Sequence, residues 1–173
     1  MTGLLIREFE PGDEAAFRSL NVEWIERYFR LEAPDEAVLC DPRGAILDAG
    51  GRIFLAVLAG RPVGCCALIR VHSGEFEVAK MAVTASAQGA GIGRALLTAA
   101  IEAARLSGAH RLCLETNSVL GPAIRLYESL GFQHIPADCA HPSAYARCDV
   151  TMELMLRTSP SGCVPESGER PRC

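Results

Sequence analysis

The residues that most invite a chemical reading are Gln88-Gly89-Ala90-Gly91-Ile92-Gly93-Arg94, set between an extended run and a long helical pattern. At such a junction the unpaired amides of a helix N-terminus meet the positive end of its dipole, and glycines let a phosphate approach the backbone closely. Arg94 adds a charge in the first helical turn. The plainer alternative is a tight turn before a helix. A dinucleotide fingerprint fits poorly, because the third glycine of Gly-x-Gly-x-x-Gly falls on Arg94 and no strand-helix-strand unit comes before it. No P-loop lysine follows either. Cys139, His141, Cys148 and His134 mix metal-binding residue types, but their spacing matches no zinc pattern, so no metal is expected.

These residues need elements to hold them. Leu4–Phe9 reads as a first strand, and Asp13 as the N-cap of a helix from Glu14 to about Phe29 with Phe17, Leu20, Trp24 and Tyr28 at helical spacing. A second helix is expected at Asp35–Cys40, with turn chemistry at Asp41–Gly44. Ile53–Leu58 and Val63–Val71 read as strands joined by the turn Ala59–Pro62, and Phe76–Val83 as a third. The helix after the glycines should bury Ile92, Leu96, Ala99, Ala103 and Leu106 and stop at Gly108. Leu112–Glu115, a helix at Pro122–Leu130 stopped by Gly131, and strands at Phe132–Ile135 and Asp149–Leu156 complete the order β-α-α-β-β-β-α-β-α-β-β. The expected layout is one α/β domain over residues 1–157 and a flexible tail over 158–173, which is rich in Pro, Ser and Gly.

Composition narrows the function. The 173 residues are 49% hydrophobic and 22% charged, as in an ordinary globule. A net charge of -4, from 17 basic against 21 acidic side chains, argues against nucleic acid as a partner. Apolar runs fall far short of the ~20 residues that span a membrane. Arg7, Glu8 and Glu10 interrupt the first run, which is unlike a signal peptide, so a cytoplasmic location is expected. Most of the eight cysteines then read as reduced core residues. Lys80 is the one lysine among many arginines, a bias that reads as genome composition rather than chemistry.

Met81-Ala82-Val83, then Gln88-x-x-Gly91-x-Gly93, then Ala123 to Phe132 with Tyr127-Glu128-Ser129-Leu130-Gly131-Phe132, together resemble the GNAT superfamily of N-acetyltransferases. The resemblance runs from about Leu4 to Leu156. It implies a mixed, mostly antiparallel central sheet flanked by helices, and acetyl-CoA as co-substrate. By it, the Met81–Val83 backbone pairs with the pantetheine arm and the amides of Gly89, Ala90, Gly91, Ile92, Gly93 and Arg94 cradle the pyrophosphate. Where the family often has an Asn that contacts the cofactor this chain has Leu120, and Asn117 is the candidate to replace it. The reaction needs a base to deprotonate an amine and a donor for the thioester oxyanion, which the backbone near Val83 could supply. Glu77 and Glu115 both match positions where family members carry the base. Tyr127 matches the tyrosine that protonates the departing thiolate. Arg27, Tyr28 and Arg30, with Tyr145 and Arg147, lie where relatives build the acceptor site, and the arginines could clamp a carboxylate.

The resulting expectation is an acetyl-CoA-dependent N-acetyltransferase for a primary amine of a small molecule such as an amino acid. A protein N-terminal or lysine acetyltransferase, and a non-catalytic acetyl-CoA sensor, are the alternatives. A second copy of the chain is kept open as a partner.

Overall fold

The computed structural model describes residues 3–136, 138–140 and 142–156. In chain order its elements are β1 (Leu4–Glu8), α1 (Glu14–Tyr28), α2 (Ala33–Cys40), β2 (Arg52–Leu58), β3 (Arg61–His72), β4 (Glu75–Val83), α3 (Ile92–Leu106), β5 (Arg111–Thr116), α4 (Gly121–Ser129), β6 (Gln133–Ile135) and β7 (Val150–Met155). The strands form one seven-stranded sheet in the order β1-β2-β3-β4-β5-β7-β6. All neighbours are antiparallel except β4 and β5, which α3 connects as a parallel crossover.

Alternation along the central strands builds two cores. Phe54, Ala56, Cys66, Leu68, Phe76, Val78, Leu112 and Leu114 face α3 and α4. Ile53, Leu55, Cys65 and Ala67 face the opposite way, against Phe17, Leu20 and Ile25 of α1 and Leu39 of α2. With both faces covered, the middle strands read as nearly continuous apolar runs.

Several sequence expectations need correction. Asp13 does not cap α1 through its side chain. Its carboxylate instead accepts two hydrogen bonds from Arg7, at 2.6 and 2.9 Å, tying the start of α1 to β1. Helix α2 starts two residues early because Glu32 and Asp35 cap it reciprocally and Pro34 suits a first turn. The hairpin between β2 and β3 is only Ala59-Gly60, both at positive φ, and Arg61 and Pro62 belong to β3. The apolar face of α3 is wider than expected. It buries Leu97, Ala100, Ile101 and Ala104 beside Ile92, Leu96 and Ala103, while Leu106 is 86% exposed and Ala99 only partly buried. Of the described cysteines Cys65 and Cys66 are buried, Cys113 and Cys148 are intermediate, and Cys40 and Cys139 are exposed, so the core reading holds for a minority. Cys163, Cys173, His141 and the 158–173 tail lie outside the described residues.

Candidate active site

The site begins with one irregular residue. Lys80 sits in the middle of β4 at φ +50, and the β3–β4 register slips between Cys65↔Ala82 and Ala67↔Ala79. An extra residue in one strand bends it and reverses its alternation. Val78, before the bulge, belongs to the α3 core, whereas Ala82, after it, belongs to the α1 core. The bend also separates β4 from β5. Their ladder covers only Glu75–Glu77 against Arg111–Cys113, although both strands run on. From Val78 onward β4 has no strand partner on that side among the described residues.

Two cavities meet at this split, sharing Trp24, Met81, Leu120 and Tyr127 as walls. The outer cleft, of about 490 Å³, is floored by Met81–Val83 and walled by Pro122, Ala123 and Leu126 of α4. Its far end is the glycine turn. Gly89 and Gly91 adopt φ +77 and +78, and a Cβ on either would meet nothing within 4 Å, so the cradle is open. The first bond inside α3 runs from Ala95 N to Gly91 O, which leaves the amides of Ile92, Gly93 and Arg94 without a carbonyl in the helix. Gln88 Nε2 donates to Val83 O at 3.0 Å and Arg94 to Ser129 Oγ at 2.8 Å, bracing the turn on both sides. An apolar groove ending in oriented amides suits a long cofactor that carries phosphates, and the residues present fit the expected acetyl-CoA. Ala90 is the exception among the turn residues, for it does not line the cleft and packs against the α3 core.

The inner pocket, of about 90 Å³, lies on the α1 side of the split. Glu77 and Glu115 both line it. Glu77 pairs with Cys113, and Glu115 follows two residues along β5 on the same face. Burial, with the neighbouring Glu115 charge adding to it, pushes the Glu77 carboxyl up to about 7. Glu115 accepts a hydrogen bond from Ser143 Oγ, which in turn accepts one from Tyr145 N. Tyr127 lines both cavities, and burial raises its phenol so that it holds its proton at working pH.

The inner pocket is also lined by a set of paired charges that the sequence reading did not anticipate. Asp35, wholly buried, accepts two bonds from Arg147 at 2.6 and 2.8 Å and one from Lys80 Nζ at 2.8 Å. Lys80 also donates to Tyr145 Oη, and Arg147 to Glu32. Burial works to raise the Asp35 carboxyl, but the bonds from Arg147 and Lys80 win and hold it below its ordinary value. Asn21, 2% exposed, completes the lining, with Nδ2 bonded to Phe17 O and Cys65 Sγ. A lone lysine inside an apolar strand was the available signal, since a buried ammonium must find a carboxylate.

The other expected site residues are scattered. Arg147 and Tyr145 reach the inner pocket, the former with its guanidinium already paired. Tyr28 borders the outer cleft, while Arg27, stacked on Tyr28, and the exposed Arg30 line neither cavity. Asn117 reaches the inner pocket, yet its amide is taken by Arg147 O and Val119 N. Leu120, in the place of the expected Asn, presents an apolar wall to both cavities. His134 pairs with Glu128. Among the described residues no three His, Cys, Asp or Glu side chains converge as ligands, and no helix is long and apolar enough to cross a membrane.

Comparison with known proteins adds to this geometry. The model of the acetyltransferase (GNAT) domain family matches residues 49–134, from just before β2 into β6. A mycothiol acetyltransferase from Thermomonospora curvata is 33% identical over 151 residues, covering 82% of this chain and 48% of that protein. The N-acetylaspartate synthetase of Rattus norvegicus is 38% identical over 90 residues, covering 51% of this chain and 30% of its own length. The chain thus spans about half the length, or less, of these curated relatives. Among solved structures, a GNAT-family acetyltransferase from Staphylococcus aureus superposes with a TM-score of 0.82 at 19% identity, over 90% of this chain and 100% of that one. An acetyltransferase from Salmonella typhimurium, solved with its cofactor acetyl-CoA, gives 0.70 at 23% identity, over 94% and 100%.

Proposed function

The chain belongs to the GNAT acetyltransferase family, and on that premise we propose that it moves the acetyl group of acetyl-CoA to a primary amine of a small molecule. The observation that carries this reading is the meeting of the two cavities at the β4–β5 split, with Glu77 on one side and the glycine cradle on the other. The co-substrate supplies an activated thioester. The unladdered edge of β4 at Met81–Val83 offers backbone groups to the pantetheine arm, and the amides from Gly89 to Arg94 offer donors to the pyrophosphate. Glu77, ionised about half the time near pH 7, is the base that takes a proton from the amine. Its charge is tuned by Glu115, which Ser143 holds in place. Tyr127, protonated at working pH and walling both cavities, is the donor for the leaving thiolate.

The names of the relatives, one a mycothiol acetyltransferase and one an N-acetylaspartate synthetase, favour a small-molecule acceptor over a protein. The inner pocket agrees, since about 90 Å³ holds the end of a small molecule rather than a folded surface. Purified protein with acetyl-CoA and an amine panel should release coenzyme A thiol in an amine-dependent way. Release that no amine increases would contradict the reading and favour a binding module.

A further inference from the structure

The polar groups of the inner pocket are unevenly matched. Its two cations are consumed before any acceptor arrives. Lys80 is bonded to Asp35 and Tyr145, and Arg147 to Asp35 and Glu32. What remains is acceptor chemistry. Glu77 and Glu115 face the cavity with no ion pair at bonding distance among the described residues, although the nearby Lys80 charge acts on Glu77. Asn21 is nearly fully buried with both its recorded bonds made by Nδ2, so its Oδ1 lines the pocket with no donor among the described residues. The donation to Phe17 O fixes which end of that amide is oxygen. Arg27 and Arg30, the remaining candidates for a clamp, line neither cavity.

Resting on the acetyltransferase reading, we propose that the acceptor is a primary amine bound as its ammonium form with no carboxylate on the carbon that bears the nitrogen. An ammonium brings three donors to Glu77, Glu115 and the Asn21 oxygen, which is what the pocket lacks. A free amino acid would instead place a third anionic group beside two carboxylates, with no unpaired cation of the pocket among the described residues to receive it. Freed of the carboxylate, as an amide or as a plain alkylamine, the same amine meets no repulsion. The small volume of the pocket admits the aminoalkyl end and leaves the remainder of the molecule outside.

Matched pairs that differ in this group and carry a single amine provide the test: L-alanine against L-alaninamide, and L-norvaline against 1-aminobutane. For the wild-type protein kcat/KM should favour the carboxylate-free member of each pair on the order of 10²-fold, the size of one close like-charge contact in a partly screened site. Asp35→Asn frees Arg147 and Lys80 and should narrow that ratio by roughly tenfold or more, by the same Coulomb argument. Glu32→Gln loosens Arg147 from a partly buried partner and should narrow it in the same direction should Asp35→Asn fail to fold. Equal or better use of the free amino acids by wild type overturns the inference and leaves the acetyltransferase reading standing. Failure to acetylate any member of either pair, with no other amine turned over, overturns both.

Discussion

The two halves of the site are built from different material. The outer cradle is made of backbone: amides at one turn, shaped by Gly89 and Gly91 and contributed by consecutive residues. The inner pocket is made of side chains from α1, α2, β4, β5 and the segment before β7, brought together by folding. A backbone site leaves its mark in glycine spacing, because positive φ, as at Gly89 and Gly91, is costly for other residues. A side-chain pocket leaves no such local mark. It also accommodates change more freely, so likeness to relatives speaks more to the cradle than to the acceptor.

The largest effect that would break or sharpen this division is on the chemical step. Glu77→Gln keeps the size and removes the basicity, so kcat/KM for the amine should fall roughly 10²–10⁴-fold at neutral pH. Because the folded carboxyl sits near 7, it gains its charge as pH rises through that value. Wild-type kcat/KM should therefore climb through pH 7, and the deficit of the variant should shrink toward the pKa of the amine. An equal loss in Glu115→Gln with none in Glu77→Gln would move the base to β5.

Next in size is the paired-charge cluster of the pocket. Asp35→Asn leaves Lys80 and Arg147 buried against too little negative charge, which should cost about 3–5 kcal/mol of stability in chemical denaturation. A loss below about 1 kcal/mol, the worth of an exposed ion pair, would show that water reaches the cluster. Smaller again is the leaving-group step. Tyr127→Phe should lower kcat by roughly 10²-fold, the low end of general-acid catalysis, with acetyl-CoA binding intact. No loss would leave Tyr127 as a packing residue against Phe132.

The same contrast explains what the sequence disclosed. The element order, the α/β class and the glycine turn before α3 were legible, because hydrophobic period and turn residues are local signals. The face of α3 was drawn too narrow, since packing on the sheet buries a wider stripe that takes in Leu97, Ala100, Ile101 and Ala104 as well. The paired-charge cluster was illegible for a different reason. Arg147 reads as a free cation until Asp35, far away in the chain, is seen to hold it by two hydrogen bonds. Lys80 reads as compositional noise until the bulge at φ +50 places it in the core.

The central claim is that the outer cleft holds acetyl-CoA through the backbone of the glycine turn. The direct measurement is the melting temperature of wild type, Gly91→Val and Glu77→Gln with and without saturating acetyl-CoA. Ligand at about 100 times its dissociation constant stabilises by about 2.7 kcal/mol, enough for a clear upward shift. Wild type and Glu77→Gln should show that shift, and Gly91→Val, forced from φ +78 by a β-branched side chain, should lose it. A folded Gly91→Val that shifts as far as wild type would contradict the claim.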